Sequence, residues 1–214
     1  MPRRFKPRQR LSGVRDAKLI IIASEGVKTE PKYFRCLASQ YINSKIKVYH
    51  LERDDVTASS PKKIIRSLDK FRDDYSDLED KDEFWLVIDV DRWRDAKLSE
   101  IAQKCHQKNY RLAVSNPCFE LWLLLHLKSL DEYSEDVLEE FRQNLKDGYR
   151  TRLGKELVEI LGEYNKSNLN PDQFLPFVEQ AIQRARRLDI NPNERWPNDL
   201  GSRVYLLAEK IIDL

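Results

Sequence analysis

Between residues 19 and 127 short apolar runs alternate with amphipathic stretches, and this alternation restricts the chain more than any other feature. The runs at 19–23, 46–51, 84–90 and 110–115 have the length of strands. The runs at 19–23 and 84–90 are almost wholly apolar, as expected of strands covered on both faces, whereas 46–51 (IKVYHL) alternates. Between and after them, 31–40, 61–71, 98–105 and 118–127 carry apolar residues at helical spacing. In 61–71, for example, Ile64, Ile65, Leu68 and Phe71 share one face, and Ser60 is placed to cap it. The order β-α-β-α-β-α-β-α predicts an α/β fold with a parallel-rich central sheet and helices on both faces. Right-handed crossovers then align the carboxyl ends of the strands along one edge, where open α/β sheets bind ligands.

From Ser134 onward strand signals vanish, and 135–145, 151–163, 171–188 and 202–214 read as helices. Gly148, 165–171 and 191–198 are the breaks between them. The expected organisation is a basic arm (1–15), an α/β core (16–130) and a C-terminal helical extension packed on that core (131–214). Residues 1–15 hold six basic side chains and no acid, leaving 32 basic against 36 acidic residues in the remainder. Such an arm suits either a nucleic-acid backbone or a solubilising tail. The densest apolar run, 121–127, is interrupted by His126 and is too short to span a membrane. The basic N-terminus has no apolar stretch behind it to make a secretory signal. Cys36, Cys105 and Cys118 lack disulfide-framework or metal spacing. These features point to a cytoplasmic protein without a membrane partner.

Two acidic signals fall at predicted strand ends. Glu25 follows the first strand, with Gly26 to let the backbone turn and Thr29 to cap a helix whose first turn holds Glu30 and Pro31. Asp89 and Asp91 end the third strand, two residues apart and therefore on one face. Two carboxylates about 4 Å apart repel by roughly 4 kcal/mol at an effective dielectric of about 20. A divalent cation relieves that repulsion, and hard oxygen ligands suit Mg²⁺ or Mn²⁺. The alternative is that Asp89 and Asp91 merely begin and cap a turn. Residues 73–83 hold seven acids and one lysine, which reads as a solvated helix end and loop.

The segments EGVKTEPKYF, IDVD and SNPCFELWLLLHL together resemble the RloB-like family of Toprim proteins. The resemblance runs from about residue 16 to about 128, and more weakly over 191–211. It implies a Toprim fold and a metal-dependent nuclease acting in anti-phage defence, including abortive infection. An ABC- or SMC-like ATPase is the implied partner, a homodimer is compatible, and RNA such as tRNA is favoured over DNA as substrate. By position Glu25 matches the Toprim glutamate, and Asp89 and Asp91 match its metal-binding aspartates. In the similar overcoming-lysogenization-defect nucleases a second glutamate follows four residues after the first. Here Glu30 follows after five, so it is either a second metal ligand or a plain helix-start glutamate. Glu120 is either a further ligand or the polar face of a buried helix.

Lys28, Lys155 and Lys166 are candidates for a cation near a scissile phosphate, and Lys28 is closest to the acids in sequence. Arg150, Arg152, Lys155, Lys166 and Arg184 are candidates for gripping a nucleic-acid backbone. Trp93 would stack a base or anchor a loop. His126, on an apolar helix, reads as a satisfied core histidine. No glycine-rich phosphate loop is present, so ATP dependence would come from a partner. The rival expectation is a non-catalytic subunit that keeps the fold and anchors the ATPase.

Overall fold

The computed structural model describes residues 16–41, 45–51, 61–90 and 95–213. The basic arm, Ser60, Asp91 and Trp93 lie outside them. The first half runs β1 (Lys18–Ser24), α1 (Thr29–Gln40), β2 (Ile46–His50), α2 (Pro61–Asp74), β3 (Glu83–Asp89), α3 (Asp95–Gln107), β4 (Arg111–Asn116) and α4 (Phe119–Leu127). The expected alternation is present, and β1, β2, β3 and β4 are mutually parallel in the order β2-β1-β3-β4. The chain steps from β1 out to β2 and then back across to β3. The order therefore reverses between β1 and β3, the crevice where such sheets place ligands.

Alternate residues of the strands feed two cores. Ile20, Ile22, Trp85, Val87 and Ala113 face α1, α4 and the C-terminal helices. Leu19, Ile21, Ala23, Leu86, Ile88 and Val114 face α2 and α3. Each such fully buried aliphatic or aromatic side chain contributes roughly 1.5–3 kcal/mol. β2 is an edge strand, which explains its alternating half-exposed pattern. Among the described residues no helix is long and apolar enough to cross a membrane.

The second half continues α5 (Glu135–Gln143), β5 (Lys146–Asp147), β6 (Arg150–Thr151), α6 (Arg152–Leu161), α7 (Val178–Leu188), β7 (Gly201–Ser202) and α8 (Val204–Ile212). Three short strands thus stand where a purely helical region was expected. β5 and β6 form a hairpin, and β7 pairs antiparallel with β4, Ser115 opposite Ser202. Two-residue strands leave no readable period. The helix expected at 171–188 opens instead with two 3-10 turns, and its α-helical part begins at Val178. The helix α4 is buried from Phe119 to His126, enclosed by β4, α6 and α7. Residues 191–198 are drawn in by Arg203, whose guanidinium clamps Asp189 at 3.0 Å and donates to the Asn191 carbonyl at 2.9 Å.

His126 is 1% exposed and doubly bonded, as a core histidine should be. A carbonyl only accepts, so Nδ1 donates to the Trp122 oxygen at 2.8 Å, and Nε2 accepts from the Tyr33 hydroxyl at 2.9 Å. Burial lowers its pKa to about 3, with the Arg184 guanidinium opposing a second positive charge. Below the ordinary histidine pKa of about 6.5 the unfolded chain binds a proton that the folded one refuses. Stability therefore falls as pH drops, by about 1.4 kcal/mol per unit. Denaturant titration should show the wild type losing about 2 kcal/mol more than His126→Gln between pH 6.5 and 5. Parallel slopes for the two proteins would remove His126 as the cause.

Candidate functional site

Glu25 leaves the end of β1 and Asp89 ends β3, so the strand reversal sets them side by side. The Glu25 backbone N–H donates to the Val87 carbonyl at 2.9 Å, extending the ladder by one rung. The Asp89 N–H in turn donates to Glu25 Oε2 at 3.4 Å. Both side chains are buried, at 3% and 6% exposure. Glu120 enters from the next strand over, in the first turn of α4 just after β4, and is 3% exposed. Three neighbouring strand ends thus deliver three carboxylates to one rim.

Glu30 adds a fourth, turned back from α1 so that its Oε1 accepts the Gly26 N–H at 3.0 Å. This contact, rather than the turn itself, is what requires glycine at position 26. A Cβ there would lie 1.8 Å from Glu30 Oε2. Ser24 braces the same turn. Its hydroxyl donates to the Gly26 carbonyl at 2.7 Å, which leaves His50 Nε2–H to donate to Ser24 Oγ at 2.9 Å. Thr29 does not cap α1. The helix begins at Thr29 itself, whose hydroxyl instead donates to the Lys166 carbonyl at 2.5 Å.

That bond reaches 137 positions along the chain and fastens the loop after α6 over the acids. Lys32 holds the same loop through Asn168 at 2.9 Å. The loop carries Lys166, whose ammonium lies 2.6 Å from Glu120 Oε1. It also carries Tyr164, whose buried hydroxyl points at the same oxygen from 3.5 Å. Burial alone would raise the Glu120 pKa, but the Lys166 ammonium outweighs it and holds the carboxyl below its usual range. Burial likewise would lower the Lys166 pKa, and the Glu120 charge reverses that and raises it. For Glu30 burial prevails and pushes the carboxyl up, reinforced by Glu120 and opposed by the Gly26 N–H and Lys166. Glu30 Oε2 and Glu120 Oε2 accept no hydrogen bond among the described residues. Buried carboxylate oxygens left in this way are costly unless a cation or water serves them.

The basic candidates separate clearly. Lys166 stands against the acids, and Lys28 precedes α1 with its side chain in solvent. Arg150 and Lys166 line one cleft of about 630 Å³ that descends to Glu120. Lys155 is paired with Asp147, and Arg152 with Glu140 and Glu156 at 2.7 and 2.9 Å. Arg184 donates to the Leu125 and His126 carbonyls at 2.8 and 3.1 Å, closing the end of α4. The last three are therefore engaged away from the cleft. Nothing local in the sequence ranked Lys166 above Lys28, or marked Tyr164 at all. Both reach the rim through the fold of the C-terminal half.

The donor set is all oxygen and mostly anionic, which fits a hard divalent ion such as Mg²⁺ or Mn²⁺. Among the described residues no three acidic, histidine or cysteine side chains are already grouped to hold a metal ion, and Asp91 lies outside them.

Fold and rim together define a class: an α/β protein with a mostly parallel sheet that collects buried acids at its strand-order reversal. The chain belongs to the RloB-like family, whose model matches residues 20–211, nearly its whole length. No curated protein and no solved structure matches it.

Proposed function

We propose that this RloB-like protein is a metal-dependent nuclease of the Toprim type, the effector of an anti-phage pair completed by an ABC- or SMC-like ATPase. The observation that carries the reading is the juxtaposition of Glu25 and Asp89 at the β1–β3 crevice, with Glu30, Glu120 and Lys166 gathered at the same rim. Glu25, Asp89 and Asp91 would hold Mg²⁺ or Mn²⁺, with Glu30 and Glu120 as further ligands. When bound, the ion polarises a phosphoryl oxygen and lowers the pKa of water. If it does not bind the ion, Glu25 would serve as the general acid/base toward the attacking water. Lys166 offers an ammonium where charge develops on the phosphoryl oxygens. RNA is the favoured substrate, tRNA included, by analogy with defence effectors of similar design.

A second reading, a non-catalytic subunit of the ATPase complex, is favoured by one observation. Lys166 already supplies Glu120 with an internal counter-charge. The two readings separate by co-expression with the ATPase and by Mg²⁺-dependent cleavage of labelled RNA and DNA. Equal toxicity and equal cleavage for the intact chain and for Glu25→Ala would exclude the nuclease. The purified chain alone should be weak or silent, because an unrestrained nuclease harms its own host.

Gly26→Ala offers a second probe. The added methyl must evict the Glu30 carboxylate, whose flexible tip can swing away, so the fold should survive. Metal affinity should fall roughly 10- to 100-fold, as expected when a group supporting a metal site is displaced. Calorimetric Mn²⁺ titration of Gly26→Ala beside Glu30→Gln checks this. Unchanged binding in both would take Glu30 out of the ligand set.

A further inference from the structure

The β5–β6 hairpin stands at the mouth of the cleft that leads to Glu120, and its composition is unusual for a surface turn. Tyr149, at its tip after Gly148 in the left-handed region (φ +64°), is 98% exposed. Among the described residues nothing buries its ring, so packing there does not account for it. The flanking Lys146 and Arg150 are exposed and line the cleft with Tyr149 and Lys166. Among the described residues neither Lys146 nor Arg150 has an ion-pair partner, whereas the hairpin's single acid, Asp147, is taken by Lys155. The hairpin therefore presents two free cations and one bare aromatic ring beside a passage of about 630 Å³ that ends at a buried carboxylate.

We propose that this hairpin grips single-stranded nucleic acid, with an unpaired base stacked on Tyr149 and the adjoining phosphates held by Lys146 and Arg150. An aromatic face at a loop tip serves an unstacked base and gives a duplex nothing to bind, because duplex bases are already stacked on each other. Lys146, Tyr149 and Arg150 line the same cleft as Lys166, so a backbone held at the tip has a continuous path down toward it. The proposal rests on the nuclease reading and adds to it the strandedness of the substrate and the residues that select it.

The test is fluorescence-anisotropy binding of the full chain to a short unstructured RNA, the DNA of the same sequence, and a duplex, all in EDTA. Tyr149→Ala should weaken single-strand binding roughly 10- to 100-fold, and Tyr149→Trp should retain it. Lys146→Ala and Arg150→Ala should each lower the slope of log affinity against log salt by about 1. A preference between RNA and DNA names the natural strand; either supports the grip. Equal binding by wild type and Tyr149→Ala, or tighter binding of the duplex, would overturn it. Binding is read without metal, so the two ideas fail separately. Tyr149-dependent binding without Mg²⁺-dependent cleavage sinks the nuclease and leaves the grip, and cleavage indifferent to Tyr149 does the reverse.

Discussion

Asp89→Asn is expected to lower Mg²⁺-dependent strand cleavage by roughly a thousandfold, with Glu25→Gln close behind. The substitution keeps the shape of the side chain and removes only its charge. Asp89 sits at the last position of β3 and pairs with Ser115 of β4, so its backbone is held by the sheet whatever the side chain. A thousandfold loss corresponds to about 4 kcal/mol of transition-state stabilisation, a size that fits loss of a ligand to the reacting ion. Circular dichroism and the unfolding midpoint should stay near wild type, which separates lost chemistry from lost fold. The assay uses the complex with the ATPase partner proposed above, or conditions that mimic its activation. Asp91→Asn belongs in the same series. Cleavage by Asp89→Asn at the wild-type rate would end the metal-site proposal.

The largest stability effect is expected at the opposite end of the chain. Arg203 and Asp189 have side chains only 7% and 6% exposed and meet in a two-pronged contact, with Arg203 Nε also 3.1 Å from Asp189 Oδ2. Removing one partner of such a buried pair leaves the other charge unpaired and costs about 3–5 kcal/mol. For a protein with a typical stability of about 5–15 kcal/mol this is a large fraction. Arg203 also donates to the Asn191 and Glu194 carbonyls, and its backbone N–H reaches the Val114 carbonyl at 2.8 Å. Arg203→Ala keeps that backbone bond but removes the guanidinium contacts, and should therefore loosen 191–198. Urea titrations of Arg203→Ala, Asp189→Ala and the double variant check the claim. The double variant should lose clearly less than the sum of the singles, and strict additivity would show that the pair is not coupled.

The α/β core was legible because buried parallel strands leave continuous apolar runs, and 19–23 and 84–90 are of that kind. Glu25 and Asp89 stood out for a related reason: a carboxylate directly after such a run has to emerge at a strand end. The lateral order of the strands, which makes β1 and β3 neighbours, was not written in either run. Strand β7 stayed hidden because Gly201 and Ser202 are too few to show alternation, and β5 and β6 because they are equally short and mostly charged and exposed. Thr29 had every local mark of a helix cap, yet a partner 137 positions away claimed its hydroxyl. Gly26 had the look of a turn glycine, and its actual constraint is the Glu30 carboxylate pressed against it. Lys166 was one lysine among three candidates until tertiary contacts set it on Glu120. Each of these depends on long-range contacts, which periodicity and local propensity cannot register.

The near-complete burial of α4 carries a last consequence. A helix buried on nearly every side has no solvent face to fall back on. Here β4 covers one flank, while α6 and α7 supply the cover on the others. A fragment stopped near residue 130 would bare the α4 face that α6 and α7 cover, forfeit the Lys166 counter-charge and leave β4 as a raw edge. The later half covers the earlier one at α4, so the two are expected to fold together, and any scheme to express them apart must first find a substitute for that cover.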